Sequence, residues 1–348
     1  MNPYVLTILL SSLGLGTVVT FASSHWLLAW MGLEINTLAI IPLMAQHHHP
    51  RAVEATTKYF LVQATAAAMV LFATTMNAWA TGEWTISNIP NSLASMTLTV
   101  ALALKVGMAP VHLWMPEVLQ GLDLLTGLIM STWQKLAPFA LIIQATQATH
   151  PALLTSLGII SSLIGGWSGL NQTQLRKILA YSSIAHMGWM IIVLQYSPQL
   201  TMIALGLYIF MTSAAFLTLK ALTSTKISTL ATTWSKNPTL VSVSLLVLLS
   251  LGGLPPLTGF MSKWLILQEL TKQDLPITAT IMALTALLSL FFYLRLCYAV
   301  ALTISPNTNN LVPQWRIGTT QTTLPLALVV VITVGILPLT PAVLMLPT

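Results

Sequence analysis

Apolar runs of about 20 residues follow one another along almost the whole sequence, and a run of that length is what a helix needs to cross about 30 Å of hydrocarbon. Only 6% of the 348 residues are charged and 55% are hydrophobic, with a mean hydropathy of +0.83. Soluble domains carry about 25% charged residues. This composition excludes a water-soluble protein and predicts an all-α membrane protein that forms one transmembrane domain over residues 1–348.

Short segments rich in Pro, Asn, Thr and Gly separate the runs and predict about eleven transmembrane helices. Their approximate bounds are 3–21, 25–44, 56–80, 95–114, 124–145, 151–169, 175–194, 199–221, 240–268, 276–301 and 323–345. Two glycines and two prolines within residues 252–256 predict that the ninth helix is broken or strongly kinked. Gly107 and Pro110 predict a related interruption in the fourth helix.

The two interruptions lie in corresponding parts of the two halves of the chain. Broken helices at matching positions mark the transport site in inverted-repeat transporters. Gly and Pro are common in membrane helices generally, so this observation alone leaves an internal repeat open.

Cationic residues in the loops predict how the chain is oriented, because they collect on one side of a membrane. Loops on one side carry only Lys272. The loops after the second, sixth, eighth and tenth predicted helices carry the others: Arg51, Arg176, Lys177, Lys226, Lys236 and Arg316. The N-terminus is therefore expected on the positive side, and an odd number of helices places the C-terminus on the other. Three further cations can reach the interface from helix ends: Lys58, Lys220 and Arg295.

Four ionisable residues remain well inside the apolar runs: Glu34, Lys105, Lys135 and Lys263. A charge at the bilayer centre costs about 2.5–3.5 kcal/mol on insertion scales. A structural ion pair between Glu34 and one lysine is the simplest alternative, but three lysines against one glutamate leave buried cations without a partner. A lysine in low dielectric has its charged form disfavoured, so it can accept and release a proton near neutral pH. We interpret the four residues as a proton path.

His186 lies inside the seventh run and joins the candidate path, because a neutral imidazole both donates and accepts hydrogen bonds. The Tyr-Ser-Ser run at 181–183 can face the same interior. A hydrogen-bonded core histidine is the alternative. Three adjacent histidines at 47–49 are interpreted as an exposed turn, since neighbouring side chains do not readily converge on one metal ion.

Several classes of function are excluded. Cys297 is the only cysteine, so the chain cannot hold a cysteine-based iron–sulfur site. A haem of the cytochrome b type needs paired histidines, and only His186 is clearly mid-membrane. Gly14 and Gly16 lie in a membrane run and lack the strand and third glycine of a dinucleotide loop. The net charge of +6 is spread over separate loops and does not indicate a nucleic-acid surface.

Three segments of the chain resemble motifs of the antiporter-like membrane subunits of respiratory complex I: 105–114, 177–188 and 252–263. The resemblance covers essentially the whole chain. It implies two inverted five-helix repeats, at about residues 1–146 and 150–302, with broken helices 4 and 9 as counterparts, and a C-terminal helix at 323–346.

The resemblance also implies roles for the buried residues. By motif position, Glu34 pairs with Lys105, Lys135 is the central lysine, and Lys263 faces the exit half or the next subunit. Some sister subunits carry glutamate at the position of Lys263, so its role is not carried over from them.

The function that the resemblance implies is proton translocation across the mitochondrial inner membrane, driven by electron transfer from NADH to ubiquinone elsewhere in the complex. It implies no cofactor or metal on this chain, since NADH, FMN, iron–sulfur clusters and ubiquinone are used by other subunits. The implied partners are other membrane-arm subunits, both antiporter-like and accessory, and lipids such as cardiolipin, but no nucleic acid. The N-terminus is expected in the matrix and the C-terminus in the intermembrane space. Two alternatives stay open: a stand-alone cation/proton antiporter and a non-pumping structural subunit.

Overall fold

The computed structural model describes residues 2–46, 48–146, 149–235, 237–302 and 324–345, and within these ranges it is helical, without a β-strand. Three residues used in the sequence predictions lie outside the described ranges: His47, Lys236 and Arg316. The chain divides into two compact units, Met1–Ser161 and Ser162–Thr348.

The first unit contains three long helices followed by four shorter ones. The long helices are α1 (Pro3–Ala22), α2 (Trp26–Met44) and α3 (Pro50–Thr81). The shorter ones are α4 (Ser92–Val106), α5 (Trp114–Gly121), α6 (Leu124–Ser131) and α7 (Trp133–Gln144). Helix α8 (Pro151–Gly169) begins in this unit and ends in the next. Helices α1 and α2 cross closely at Gly16 and Gly32, where a Cβ atom on Gly32 would lie 2.9 Å from the Gly16 carbonyl oxygen.

The second unit is built around a helix that is buried along most of its length. This helix is α9 (Leu175–Leu194), and Ile178 to Ala180 and Ser182 to Leu194 are all buried. The other helices of this unit are α10 (Pro198–Ala221), α11 (Ile227–Thr232), α12 (Pro238–Gly252), α13 (Thr258–Lys272), α14 (Pro276–Ala301), α15 (Leu324–Gly335) and α16 (Thr340–Met345). Helices α10, α13 and α14 contact α9.

The prediction of an all-α membrane fold is confirmed. Seven described helices are long and apolar enough to cross a membrane, namely α1, α2, α3, α8, α9, α10 and α14, and α4, α12 and α15 are shorter apolar helices. The predicted break in the ninth run is present, because α12 ends at Gly252 and α13 begins at Thr258. The number of eleven crossings stays a prediction.

The predicted interruption of the fourth helix is also present, because α4 ends at Val106 and α5 begins at Trp114. Other bounds differ from the prediction. The third helix begins at Pro50 instead of residue 56 because its polar first turns fall below a hydropathy criterion. The run at 124–145 is not continuous but divides at Thr132, where the hydroxyls of Ser131 and Thr132 both donate to the Leu128 carbonyl, at 3.1 and 2.7 Å. Side-chain hydroxyls that bond the backbone in this way compete with regular helix.

The C-terminal run, predicted as one helix over 323–345, is likewise interrupted. Helix α15 ends at Gly335, and Pro338 follows in a short 3-10 turn before α16 begins. Proline lacks the N–H that would continue the α-helical bonding.

Candidate functional site

The break in the first unit follows α4. Gly107 adopts φ +82° and ψ 43°, in the left-handed region that glycine reaches without steric cost. The N–H groups of Gly107 and Met108 both donate to the Ala103 carbonyl, each at 2.9 Å. These bonds close the helix end in the manner of a glycine C-cap, and the chain then runs without α-helix as far as α5.

Side chains from two other helices bond the carbonyl groups at this end of α4. The indole N–H of Trp114, on α5, donates to the Leu104 carbonyl at 3.2 Å. The amide N–H of Gln63, on α3, donates to the Lys105 carbonyl at 3.4 Å. The last carbonyls of a helix have no backbone donor within the helix. Gln63 supplies a donor to the Lys105 carbonyl, and Trp114 adds a second donor to the Leu104 carbonyl, which also accepts the Gly107 N–H at 3.2 Å.

Lys105 lies in the last turn of α4 and is only 5% exposed. Its Nζ atom has no hydrogen-bond partner among the described residues, and neither has the buried Oε2 atom of Glu34 on α2. The two side chains are nevertheless close enough to interact electrostatically. The pair that the family resemblance implies is therefore near but not joined by a hydrogen bond through these atoms.

Lys105 and Lys135 line the same narrow cavity. Lys135 is 3% exposed and lies in the first turn of α7, directly after the break at Thr132. The cavity volume of about 10 Å³ is enough for about one water molecule. Its other polar lining residues are Asn36, Thr37, Tyr59, Gln63 and Gln134.

The neutral polar residues of this cavity were not singled out from the sequence. Gln134 donates to the Asn36 carbonyl at 3.3 Å and so links the start of α7 to α2. Tyr59 is fully buried on α3 and interacts electrostatically with Glu34. A glutamine or asparagine inside an apolar run was the available signal, because such a side chain must find a partner or a polar cavity at membrane depth.

The break in the second unit has the same backbone geometry as the first. Gly253 adopts φ +82° and ψ 42°, and the N–H groups of Gly253 and Leu254 both donate to the Leu249 carbonyl, at 3.1 and 3.4 Å. Lys263, on α13 and 8% exposed, donates from Nζ to the Gly252 carbonyl at 2.8 Å. A Cβ atom on Gly253 would lie 2.9 Å from that Nζ atom, so the lysine packs directly on the glycine.

His186 is buried on α9 and belongs to a separate polar cluster of the second unit. Its Nδ1 atom lies 2.7 Å from the Ser182 carbonyl oxygen; a carbonyl only accepts, so Nδ1 carries the hydrogen in this bond. The ring centroid is 5.7 Å from that of Tyr208, which is hydrogen-bonded to Ser183. Tyr293 lies beside Ser182 but makes no well-formed hydrogen bond through its hydroxyl to a described residue.

The structure does not join this cluster to Lys263 by a hydrogen bond, since the bond of the lysine goes to the Gly252 carbonyl. Tyr208 and Tyr293 were not singled out from the sequence, because a tyrosine in an apolar run is equally typical of the interface. Within the described ranges, no group of three His, Cys, Asp or Glu residues is placed to hold a metal ion.

Comparison with known proteins places these features in a family. The model described as NADH:quinone oxidoreductase/Mrp antiporter, TM matches residues 23–289, and that described as NADH dehydrogenase subunit 2 C-terminus matches 290–344. NADH-ubiquinone oxidoreductase chain 2 of Danio rerio is 76% identical over 348 residues, covering 100% of both chains. The protein of the same name from Salmo salar is 69% identical over 343 residues, covering 99% of this chain and 98% of the relative.

Solved structures agree with this placement. A chain in the structure of respiratory complex I from Thermus thermophilus with bound aureothin has a TM-score of 0.88 and 29% identity, covering 100% of this chain and 81% of that one. A chain of the Mrp complex from Dietzia sp. has a TM-score of 0.84 at 15% identity, covering 97% of this chain and 76% of that one, and shares the fold. The chain therefore belongs to the NADH-ubiquinone oxidoreductase chain 2 family of antiporter-like membrane proteins.

Proposed function

We propose that this chain translocates protons across the mitochondrial inner membrane as a core membrane-arm subunit of respiratory complex I, the NADH:ubiquinone oxidoreductase. Full-length similarity to chain 2 relatives and to a complex I membrane chain supports the assignment to that complex. The observation that carries the assignment to proton transfer is the pair of buried lysines, Lys105 and Lys135, on one water-sized cavity.

Glu34, Lys105 and Lys135 form the entry part of the proposed path. The Nζ atom of Lys105 makes no hydrogen bond to a described residue, so a change in the distance between it and Glu34 acts directly on its charge state through their electrostatic interaction. A water molecule in the shared cavity would connect Lys105 to Lys135. Proton transfer then runs between the two amines without a redox group.

Lys263 and His186 form the second part of the proposed path. Lys263 can donate to the Gly252 carbonyl both as an amine and as an ammonium ion. His186 keeps its Nδ1 hydrogen on the Ser182 carbonyl, so Nε2 is the atom that accepts a proton. Lys263 faces the exit half or the next subunit, and His186 with its tyrosines relays protons within the second unit.

The remaining parts of the proposal concern architecture and surroundings. Residues 1–146 and 150–302 form two inverted repeats, and the matching φ and ψ values at Gly107 and Gly253 support this. The N-terminus lies in the matrix and the C-terminus in the intermembrane space, as the loop cations indicate. NADH, FMN, iron–sulfur clusters and ubiquinone bind to other subunits. The partners are antiporter-like and accessory membrane-arm subunits and lipids such as cardiolipin.

The proposal is tested with assembled complex reconstituted in liposomes. Changing Lys105→Ala or Glu34→Gln should lower the number of protons translocated per NADH oxidised, while the exposed cation variant Lys220→Ala should leave it unchanged. Full stoichiometry in intact complex carrying either buried change would contradict the proposal. Cation-dependent proton flux by the chain purified alone would instead favour a stand-alone antiporter.

A further inference from the structure

Three helix ends meet in the second unit beside Lys263. Ser250, in the last turn of α12, donates its hydroxyl to the Thr333 carbonyl of α15 at 2.9 Å. Thr258, the first residue of α13, donates its hydroxyl to the same carbonyl at 2.5 Å. The two hydroxyl oxygens lie 3.2 Å apart, and all three residues are buried. One carbonyl of the C-terminal helix therefore bonds both halves of the broken helix.

The Thr333 carbonyl is available because α15 ends two residues later, at Gly335. The last carbonyls of a helix lack backbone donors within the helix. Among the described residues, no backbone N–H from a turn or loop donates to the Thr333 carbonyl oxygen. An unpaired carbonyl at membrane depth is costly. The hydroxyls of Ser250 and Thr258 satisfy it.

These two hydroxyls differ from most others in the chain. Ser244, also buried on α12, donates to the Val241 carbonyl of its own helix at 2.7 Å. Thr218, buried on α10, donates to the Ala215 carbonyl of its own helix at 3.0 Å. Bonds of that kind do not connect helices, whereas the bonds to Thr333 cross 83 and 75 residues of sequence.

The two halves of the broken helix are also in direct backbone contact at this point. A Cβ atom on Gly259 would lie 1.7 Å from the Ser250 carbonyl oxygen, so no side chain fits between the halves. Lys263 follows one turn later on α13 and reaches back to the Gly252 carbonyl. The position of the Lys263 amine thus depends on the angle between α12 and α13.

We propose that α15 is a clasp that fixes this angle, and that Ser250 and Thr258 are positioning residues for Lys263. Both act through the Thr333 carbonyl: while it holds the two hydroxyls, α13 cannot move away from α12 and the Lys263 amine stays on the Gly252 carbonyl. This role rests on the proposed function, because the position of Lys263 affects transport only when Lys263 carries protons.

The test uses assembled complex with the double change Ser250→Ala and Thr258→Val. Its matched control is Ser244→Ala with Thr218→Val, which removes two buried hydroxyls of the same unit that bond only their own helices. Amide hydrogen exchange of residues 324–335 should become about tenfold faster in the test variant. In the native protein each of the two inter-helix bonds stabilises α15 against opening, and the variant removes both. The control should exchange at the native rate.

Proton stoichiometry and its pH dependence give a second readout. In the test variant, protons per NADH should fall and the pH profile of pumping should shift, since the Lys263 amine loses its fixed surroundings. The hydroxyl-retaining pair Ser250→Thr with Thr258→Ser should restore both. If the double variant does not assemble, each single change removes one of the two donors and should give a smaller effect in the same direction.

Unchanged amide hydrogen exchange of residues 324–335 in the test variant would contradict the proposal that α15 holds α12 and α13 together. Faster exchange with native stoichiometry and a native pH profile would overturn the positioning role. Native pumping by Lys263→Ala complex would instead contradict the proposed function of Lys263, and the exchange measurement would still decide whether the clasp exists.

Discussion

Helices α4 and α12 end in the same backbone geometry, yet different side chains hold the two breaks. At the first, Trp114 and Gln63 bond the carbonyls of α4, and the Lys105 amine has no hydrogen-bond partner within the described part of the chain. At the second, Lys263 itself bonds the last carbonyl of α12, at Gly252. The Lys105 amine therefore takes no part in holding the first break, whereas the Lys263 amine helps to hold the second.

This difference separates two tasks that a buried lysine can have. An amine without a hydrogen-bond partner responds readily to a nearby charge, here that of Glu34. An amine that bonds a helix end couples its proton to the backbone around it. We therefore expect changes at the first break to act on charge and changes at the second to act on helix geometry as well.

The largest effect is expected from Gly259→Ala at the second break. The added Cβ atom would lie 1.7 Å from the Ser250 carbonyl oxygen, and a backbone atom cannot rotate away. The level of assembled complex on blue-native gels should fall severely. Gly206→Ala is the matched control, because nothing lies within 4 Å of its added Cβ atom. Native assembly of the Gly259→Ala variant would show that the two half-helices are not in close contact.

A smaller effect is expected from Trp114→Phe at the first break. The substitution keeps an aromatic ring but removes the N–H that bonds the Leu104 carbonyl. That carbonyl keeps the Gly107 N–H as a donor, so the free energy of unfolding should fall by about 0.5–1.5 kcal/mol, the net contribution of one hydrogen bond. Thermal denaturation of the assembled complex measures this. Trp167→Phe, at an exposed indole, is the control. Equal denaturation midpoints for the two variants would show that the Trp114 hydrogen bond does not stabilise the break.

The smallest effect is expected from Lys58→Ala. Lys58 pairs with Glu54 at 2.6 Å and with Glu117 of α5 at 2.9 Å, but all three side chains are largely exposed. Exposed ion pairs add little stability and are screened by salt. Proton stoichiometry and denaturation midpoint should both match the native complex. A clear loss in either would mean that the ion pair between Lys58 and Glu117, and not only the Trp114 hydrogen bond, holds α5 in place.

The sequence predicted the features in which a residue type departs from its surroundings, such as a charge in an apolar run or glycine and proline within a helix. Charges in apolar runs stood out, which is how Glu34 and the lysines were found, and the glycines and prolines at 252–256 predicted a break that is present. The break at Thr132 was missed because its residues are ordinary: the hydroxyls of Ser131 and Thr132 bond the Leu128 carbonyl, as the Ser244 hydroxyl bonds its own unbroken helix.

The sequence could not predict which side chains meet across helices. The packing of α3 places Tyr59 at the cavity that Lys105 and Lys135 line. A hydropathy pattern carries no information about such packing between helices. The Thr333 carbonyl is a backbone atom, so no residue type signals its two hydroxyl partners. The proton path itself, from Glu34 onward, stays a prediction.

The most direct test of the central claim, that buried lysines carry the protons, is the number of protons translocated per NADH by complex carrying Lys135→Met. Methionine keeps much of the side-chain volume at a fully buried position but cannot be protonated. We predict fewer protons per NADH in fully assembled complex, with Lys220→Met at the native value. Native stoichiometry in the Lys135→Met complex would contradict the account.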